Sequence, residues 1–182
     1  MSKDNAIPKL LAVFRQYGYE GATLSRLSEA TGLGRASLYH HFPKGKEEMA
    51  AAVLDYLNQG LNEQLLAPLH ERSSPVNRIR AMSRSIDEFY CHGEQACLLA
   101  LLSAGEAHDL FGAQVQAALN LWIDSLAEVA IEAGVAPKVA RSRAEDAVLQ
   151  IQGALVLTRG LNDTAIFKRV LKRLPEMLLD PS

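Results

Sequence analysis

The stretch Gly34-Arg35-Ala36-Ser37-Leu38-Tyr39-His40 packs hydrogen-bonding side chains of a particular kind into seven positions. An arginine guanidinium is a planar fork that can bond guanine O6 and N7 together, and a serine hydroxyl serves donor or acceptor base edges. Hydroxyl and basic side chains also bond phosphate oxygens. Gly34 and Ala36 add almost no bulk, so the backbone that carries them can approach a groove closely. Thr23 and Arg26 lie upstream of this stretch, Lys44 and Lys46 downstream. The chemistry on offer is recognition of a polyanion. Bond-making has no comparable signature: G-x-S-x-G, a phosphate loop, H-E-x-x-H and the dinucleotide fingerprint are all missing, so the chain does not read as an enzyme.

These residues need elements to hold them, and the pattern supplies short helices. Ile7, Leu10, Leu11 and Phe14 are spaced i, i+3, i+4, i+7, one helix face, and Pro8 predicts a start close to itself. Gly18 and Gly21 end that helix. Thr23 reads as an N-cap, Leu24, Leu27 and Ala30 share a side, and Gly32 suits a left-handed C-terminal position. A third helix runs from Gly34 to His41, with Leu38 and Phe42 inward. After Pro43-Lys44-Gly45 a fourth helix opens with Glu47 and Glu48, acids where the helix dipole favours them, and runs to the region of Pro68. Two short helices joined by a glycine turn form a helix-turn-helix, whose second helix enters the major groove. The N-termini of the second and fourth helices are positioned to hold phosphates.

The order Gly18-Tyr19-x-x-Ala22-Thr23-Leu24-x-x-Leu27, Gly32-Leu33, Leu38-Tyr39-x-His41-Phe42 and then Lys46-Glu47-Glu48-Met49 resembles the TetR family of ligand-responsive repressors over residues 5–50. The resemblance implies phosphate contacts at Thr23, Tyr39 and the position of His40, and recognition-helix positions at Arg35, Ala36 and Ser37. The full candidate DNA-contacting set is Thr23, Arg26, Gly34, Arg35, Ala36, Ser37, Tyr39, His40, Lys44 and Lys46. The family's lysine commonly follows the phenylalanine by three residues; here Lys46 follows Phe42 by four. This FPKGKEE form is similar to the multidrug-linked LmrA and YxaF branch, and it leaves Lys44 and Lys46 as alternatives for the phosphate contact. The implied fold is all-α: an N-terminal three-helix head over 1–48 and a helical body over 49–182 that binds a small molecule and dimerises. The implied partners are double-stranded operator DNA, a second copy and an apolar or aromatic effector.

Bulk properties agree. Residues 1–50 carry seven Lys/Arg against five Asp/Glu, and the remainder carries twelve against sixteen, so a weakly basic head precedes an acidic body. No apolar run approaches the ~18 residues that span a bilayer, and the N-terminus lacks the apolar core of a secretory signal, so the chain reads as cytoplasmic and free of membrane partners. The body predicts helices near 75–92, 96–106, 109–134, 137–160 and 163–179, with 70–75 a loop and a break over Gly105–Asp109. Met82, Ile86, Phe89, Tyr90, Trp122 and Gln150 are candidates to line an effector cavity, or are plain core. Ala147, Ile151, Ala154 and Leu155, with Phe167, Val170 and Leu174 on the last helix, form two stripes that suit a dimer seam or the protomer's own core. Cys91, His92, Glu94 and Cys97 match no strong metal spacing, and no cofactor is implied. A rival reading is a helical small-molecule or thiol-redox sensor that no longer binds DNA; Arg35, Ser37, Tyr39 and His40 argue against it.

Overall fold

The computed structural model describes residues 3–180, among which lie nine α-helices and no strand. The chain separates into two units. One ends at Gln59 and resumes over Leu98–Gln116; the other takes Gly60–Cys97 and everything from Ala117. The first unit thus extends past the head expected over 1–48 and draws in a segment expected in the body.

In the first unit, α1 (Lys3–Gly21) buries Ala6, Leu10, Val13 and Phe14. It starts five residues before Pro8, earlier than the proline predicts. Pro8 removes only the hydrogen bond to the carbonyl of Asp4, an exposed residue in the first turn, so the helix tolerates it. Gly18, at φ 68 and ψ −178, breaks the helical path before a last turn. Next, α2 (Leu24–Thr31) is capped by Thr23, whose Oγ1 accepts from Arg26 N at 3.4 Å, and stopped by Gly32 at φ 71. Leu27 is buried as expected, Leu24 half-buried, and Ala30 exposed. Then α3 (Arg35–His41) seats Leu38 and the following Phe42 at 0 % exposure. α4 (Lys46–Gly60) buries Met49, Ala50, Val53, Leu54 and Leu57.

The expected helix over 96–106 contracts to the four residues of α6 (Leu98–Leu101), where Ser103 Oγ donates to Ala100 O at 2.8 Å. The break expected at Gly105–Asp109 is instead the first turn of α7 (Gly105–Glu132). Its cap is remote in sequence: Glu106 N donates to Glu20 Oε1 at 2.9 Å. A carboxylate at a helix N-terminus satisfies an orphan amide and complements the dipole.

In the second unit, α4 runs on into a π-helical turn, Leu61–Leu66, and a 3-10 turn, Ala67–His70. The expected loop follows. Ser74 then caps α5 (Pro75–Phe89), accepting from Asn77 N at 3.4 Å. Cys91, His92 and Gly93 take positive φ values of 47, 59 and 93, which ends α5 three residues sooner than predicted. Both thiols are free; buried Cys97 Sγ accepts from Tyr90 OH at 3.3 Å and from Gln152 Nε2 at 3.4 Å. The unit is completed by the rest of α7, by α8 (Pro137–Leu161) and by α9 (Ala165–Leu179). No helix among the described residues is long and apolar enough to cross a membrane.

Candidate nucleic-acid interface

The turn between α2 and α3 is fixed by its own hydroxyls. Ser28 Oγ donates to Leu33 O at 2.5 Å, Thr31 Oγ1 donates to Leu27 O at 2.7 Å and accepts from Leu33 N at 3.3 Å. With Leu27, Leu38 and Phe42 buried beneath, α3 has one way to sit, and its other face is left to solvent. That face presents Arg35, Ala36, Ser37, Tyr39 and His40, all exposed. Tyr39 packs its ring against Gly45, whose φ of +69 and lack of a Cβ let the ring lie there; a Cβ would meet Tyr39 Cε1 at 3.3 Å. Gly45 N donates to Phe42 O at 2.8 Å and Lys44 N to Glu48 Oε2 at 3.0 Å, which ties the FPKGKEE turn to α4.

The candidate cations are not equivalent. Arg26 lies with its guanidinium 4.0 Å from the Tyr17 ring and donates to Gly21 O at 2.6 Å. Lys46 is half-buried, donating to Tyr19 O at 3.2 Å with Nζ 4.0 Å from the Tyr19 ring. Burial, aided by the charges of Glu106, Glu47 and Glu20, pushes the Tyr19 phenol above its ordinary range, so it stays neutral beneath the lysine. Lys44 is exposed, and its ammonium has no partner among the described residues. Arg35 Nη2 donates to Ser25 Oγ at 3.2 Å. Ser25 is not among the sequence candidates; its place in the first turn of α2, two residues after the capping Thr23, is the available signal.

A capped helix-turn-helix whose second helix shows hydroxyl, imidazole and guanidinium groups is the unit that reads a major groove. Residues 10–53 match the bacterial regulatory proteins, tetR family, and residues 75–173 match the LmrA/YxaF-like C-terminal domain of transcriptional regulators. The chain belongs to the TetR family, in its LmrA/YxaF-like branch. It is 21 % identical to the transcriptional regulator LmrA of Bacillus subtilis, covering 97 % of this chain and 96 % of that protein. A TetR transcriptional regulator from Legionella pneumophila superposes with a TM-score of 0.85 at 20 % identity, covering 98 % and 97 % of the two chains. AibR, solved in complex with isovaleryl coenzyme A and operator DNA, superposes with a TM-score of 0.68 at 21 % identity, covering 97 % of each chain. This TetR-family protein is accordingly a transcriptional regulator of the DNA-binding helix-turn-helix type.

The regulator's second unit arranges the remaining candidates differently from the sequence reading. Met82, Ile86, Tyr90 and Trp122 are buried and Phe89 half-buried, with the Phe89 and Tyr90 rings 5.1 Å apart. Gln150 is exposed: α8 turns Ile151 and Leu155 inward, which puts residue 150 outside. The seam residues Ala147, Ile151, Ala154, Leu155, Phe167 and Leu174 are themselves at most 3 % exposed, so the protomer's own packing already consumes both stripes; Val170 is half-buried. Phe167 lies against Tyr90 with centroids 6.3 Å apart. The apolar face that α8 leaves to solvent is the opposite one: Leu149, Val156, Leu157 and Leu161 are 69, 60, 52 and 66 % exposed. Gly153 and Gly160 stand exposed along the same line.

Proposed function

We propose that the protein is a repressor that grips a roughly palindromic operator as a homodimer and releases it when a small molecule occupies the second unit. The carrying observation is the exposed row of Ser37, Tyr39, His40 and Lys44 on a rigidly capped helix-turn-helix; none of these side chains has a hydrogen-bond partner among the described residues. Arg35, Ala36 and Ser37 face base edges, with Gly34 permitting close approach, while Thr23, Tyr39, His40 and Lys44 meet phosphates. Lys44 takes the phosphate contact in preference to Lys46, because Lys46 is engaged on Tyr19; Arg26, engaged on Tyr17, orients the entry to α2.

The copies join through the outward face of α8. Leu149, Gly153, Val156 with Leu157, and Gly160 with Leu161 recur at helical spacing, an apolar stripe with small residues that let a second helix come close. Two-fold symmetry then sets two recognition helices about one helical turn, or a multiple, apart. The effector is apolar or aromatic and inserts among Met82, Ile86, Phe89 and Trp122. Support comes from Trp122 Nε1, which is buried with no acceptor among the described residues, so that an effector oxygen would supply one. The effector acts by its differential affinity for two conformations. The setting is the cytoplasm, where DNA and effector meet.

The test is fluorescence anisotropy of the protein on its own upstream DNA at two salt concentrations against scrambled competitor. Tight, competitor-resistant, salt-sensitive binding is expected. Binding no better than to scrambled DNA, on upstream DNA and on duplexes selected from a random library alike, would overturn the reading.

A further inference from the structure

Between α5 and α9 the second unit carries an open groove of about 430 Å³, within the size range of small-molecule sites. Its lining has a consistent chemistry. Arg80 and Arg84 stand one turn apart on α5, and Lys168 and Lys172 one turn apart on the facing α9. All four are exposed, and none of their charged heads has a hydrogen bond or ion pair among the described residues. Two acids, Asp87 and Glu88, share the groove, so cations outnumber carboxylates two to one. The surplus is local, because the second unit as a whole has slightly more acids than bases.

The floor is apolar. Leu171 is 6 % exposed and Pro175 is half-buried beside it, and the aliphatic stems of the arginines and lysines extend this surface toward the rim. One of the two acids is already engaged within the lining: Asp87 Oδ2 meets His92 Nδ1 at 2.7 Å. Four like charges held around one apolar floor repel each other, and an anion seated among them relieves that repulsion. Guanidinium and ammonium groups opposite one another match a carboxylate, sulfonate or phosphate head from two sides.

We propose that this groove is a binding site for an amphipathic organic anion: an apolar or aromatic body on Leu171 and Pro175, and an acidic head between Arg80/Arg84 and Lys168/Lys172. The site goes beyond the buried cluster around Trp122 and does not depend on it. It also needs no DNA, so it stands or falls separately from the repressor reading.

The probe is 1-anilinonaphthalene-8-sulfonate, which carries an aryl body, one anionic head and one N–H. Its uncharged counterpart, N-phenyl-1-naphthylamine, serves as control. Both are titrated by fluorescence and calorimetry into the intact protein without DNA. Saturable binding of one sulfonate per chain is expected, at least tenfold weaker for the uncharged amine and at least tenfold weaker in the double variant Arg84→Gln/Lys168→Gln. Lys138→Gln, an equal type of charge loss on an exposed α8 residue outside the groove, should leave the affinity unchanged. Folding of each variant is checked by circular dichroism. Equal binding of the two probes, equal weakening by Lys138→Gln, or wild-type affinity in the double variant would each overturn the proposal. So would displacement of the sulfonate by short duplex DNA of any sequence, which would make the groove a nucleic-acid surface.

Discussion

Arg35 reaches Ser25 across the turn of the motif, so its guanidinium is held at the edge of the groove-facing surface before DNA arrives. Arg35→Ala should cost roughly 1–3 kcal/mol of operator affinity and relax preference at one base pair; an unchanged preference across single-base operator variants would remove Arg35 from base reading. The two lysines separate by experiment. Lys44→Ala should weaken all sequences alike and flatten the salt dependence by about one unit. Lys46→Ala should instead lower the melting temperature, since it strips a cation from the Tyr19 ring and carbonyl, a contact worth about 1 kcal/mol. The reverse pattern would restore Lys46 to the phosphate. In the second unit, Arg78 is buried, donates to Leu69 O at 3.0 Å and pairs with exposed Glu132. The hydrogen bond from Arg78 holds the Glu132 carboxyl below its usual range. A depressed carboxylate contributes stability above its unfolded pKa and loses it as pH falls through the folded value. Glu132→Gln should therefore melt lower than wild type at neutral pH, with the gap closing in acid; a gap constant with pH would mean that charge is not what Glu132 supplies. Of these facts the sequence showed the residue types and their spacing. It did not show which lysine was occupied, because that depends on where the Tyr19 ring comes to rest.

The elements were legible where their signals are local. Thr23 and Gly32 cap and stop α2 through neighbours three or four residues away, and such ends read directly from the sequence. The start of α7 did not, because its cap is Glu20, eighty-six residues earlier. Gly105 belongs to that arrangement: its φ is +61, and a Cβ there would sit 2.4 Å from Glu20 Oε1. Gly105→Ala should destabilise the protein by about 1–3 kcal/mol in denaturant unfolding, through the strained φ and the displaced cap. Adding Glu20→Ala removes the collision and leaves the strain, so the double variant should fall short of the sum; additivity would show that the two residues act apart. The π turn after α4 had a signal that went unread. Leu57, Leu61, Leu65 and Leu69 recur every fourth residue and are all buried. In an α-helix each such step drifts by ~40°, and a wider turn absorbs the drift.

On the scale of the molecule, the two stripes that suit a dimer seam or the protomer's own core lie in that core, apart from half-buried Val170, and α8 shows solvent a second apolar face. Periodicity identifies an apolar stripe without saying what covers it, and α8 carries two. Leu157→Glu on the outer face should turn the dimer into a monomer by sedimentation velocity and sharply weaken operator binding, while leaving the helical circular dichroism intact. A dimer that survives this change would place the contact elsewhere. The division of the first unit into two separated stretches bears on how the protein is made. Synthesis is vectorial, and at ~5–20 residues per second Gln116 leaves the ribosome's active site roughly 3–11 seconds after Gln59. For most of that interval the nascent chain holds every residue of the helix-turn-helix but neither the Glu106 amide that Glu20 caps nor Phe111, whose ring stands 5.7 Å from that of Tyr19. A polypeptide released before residue 106, by a nonsense codon or a stalled ribosome, therefore carries the helix-turn-helix without either of these two supporting contacts.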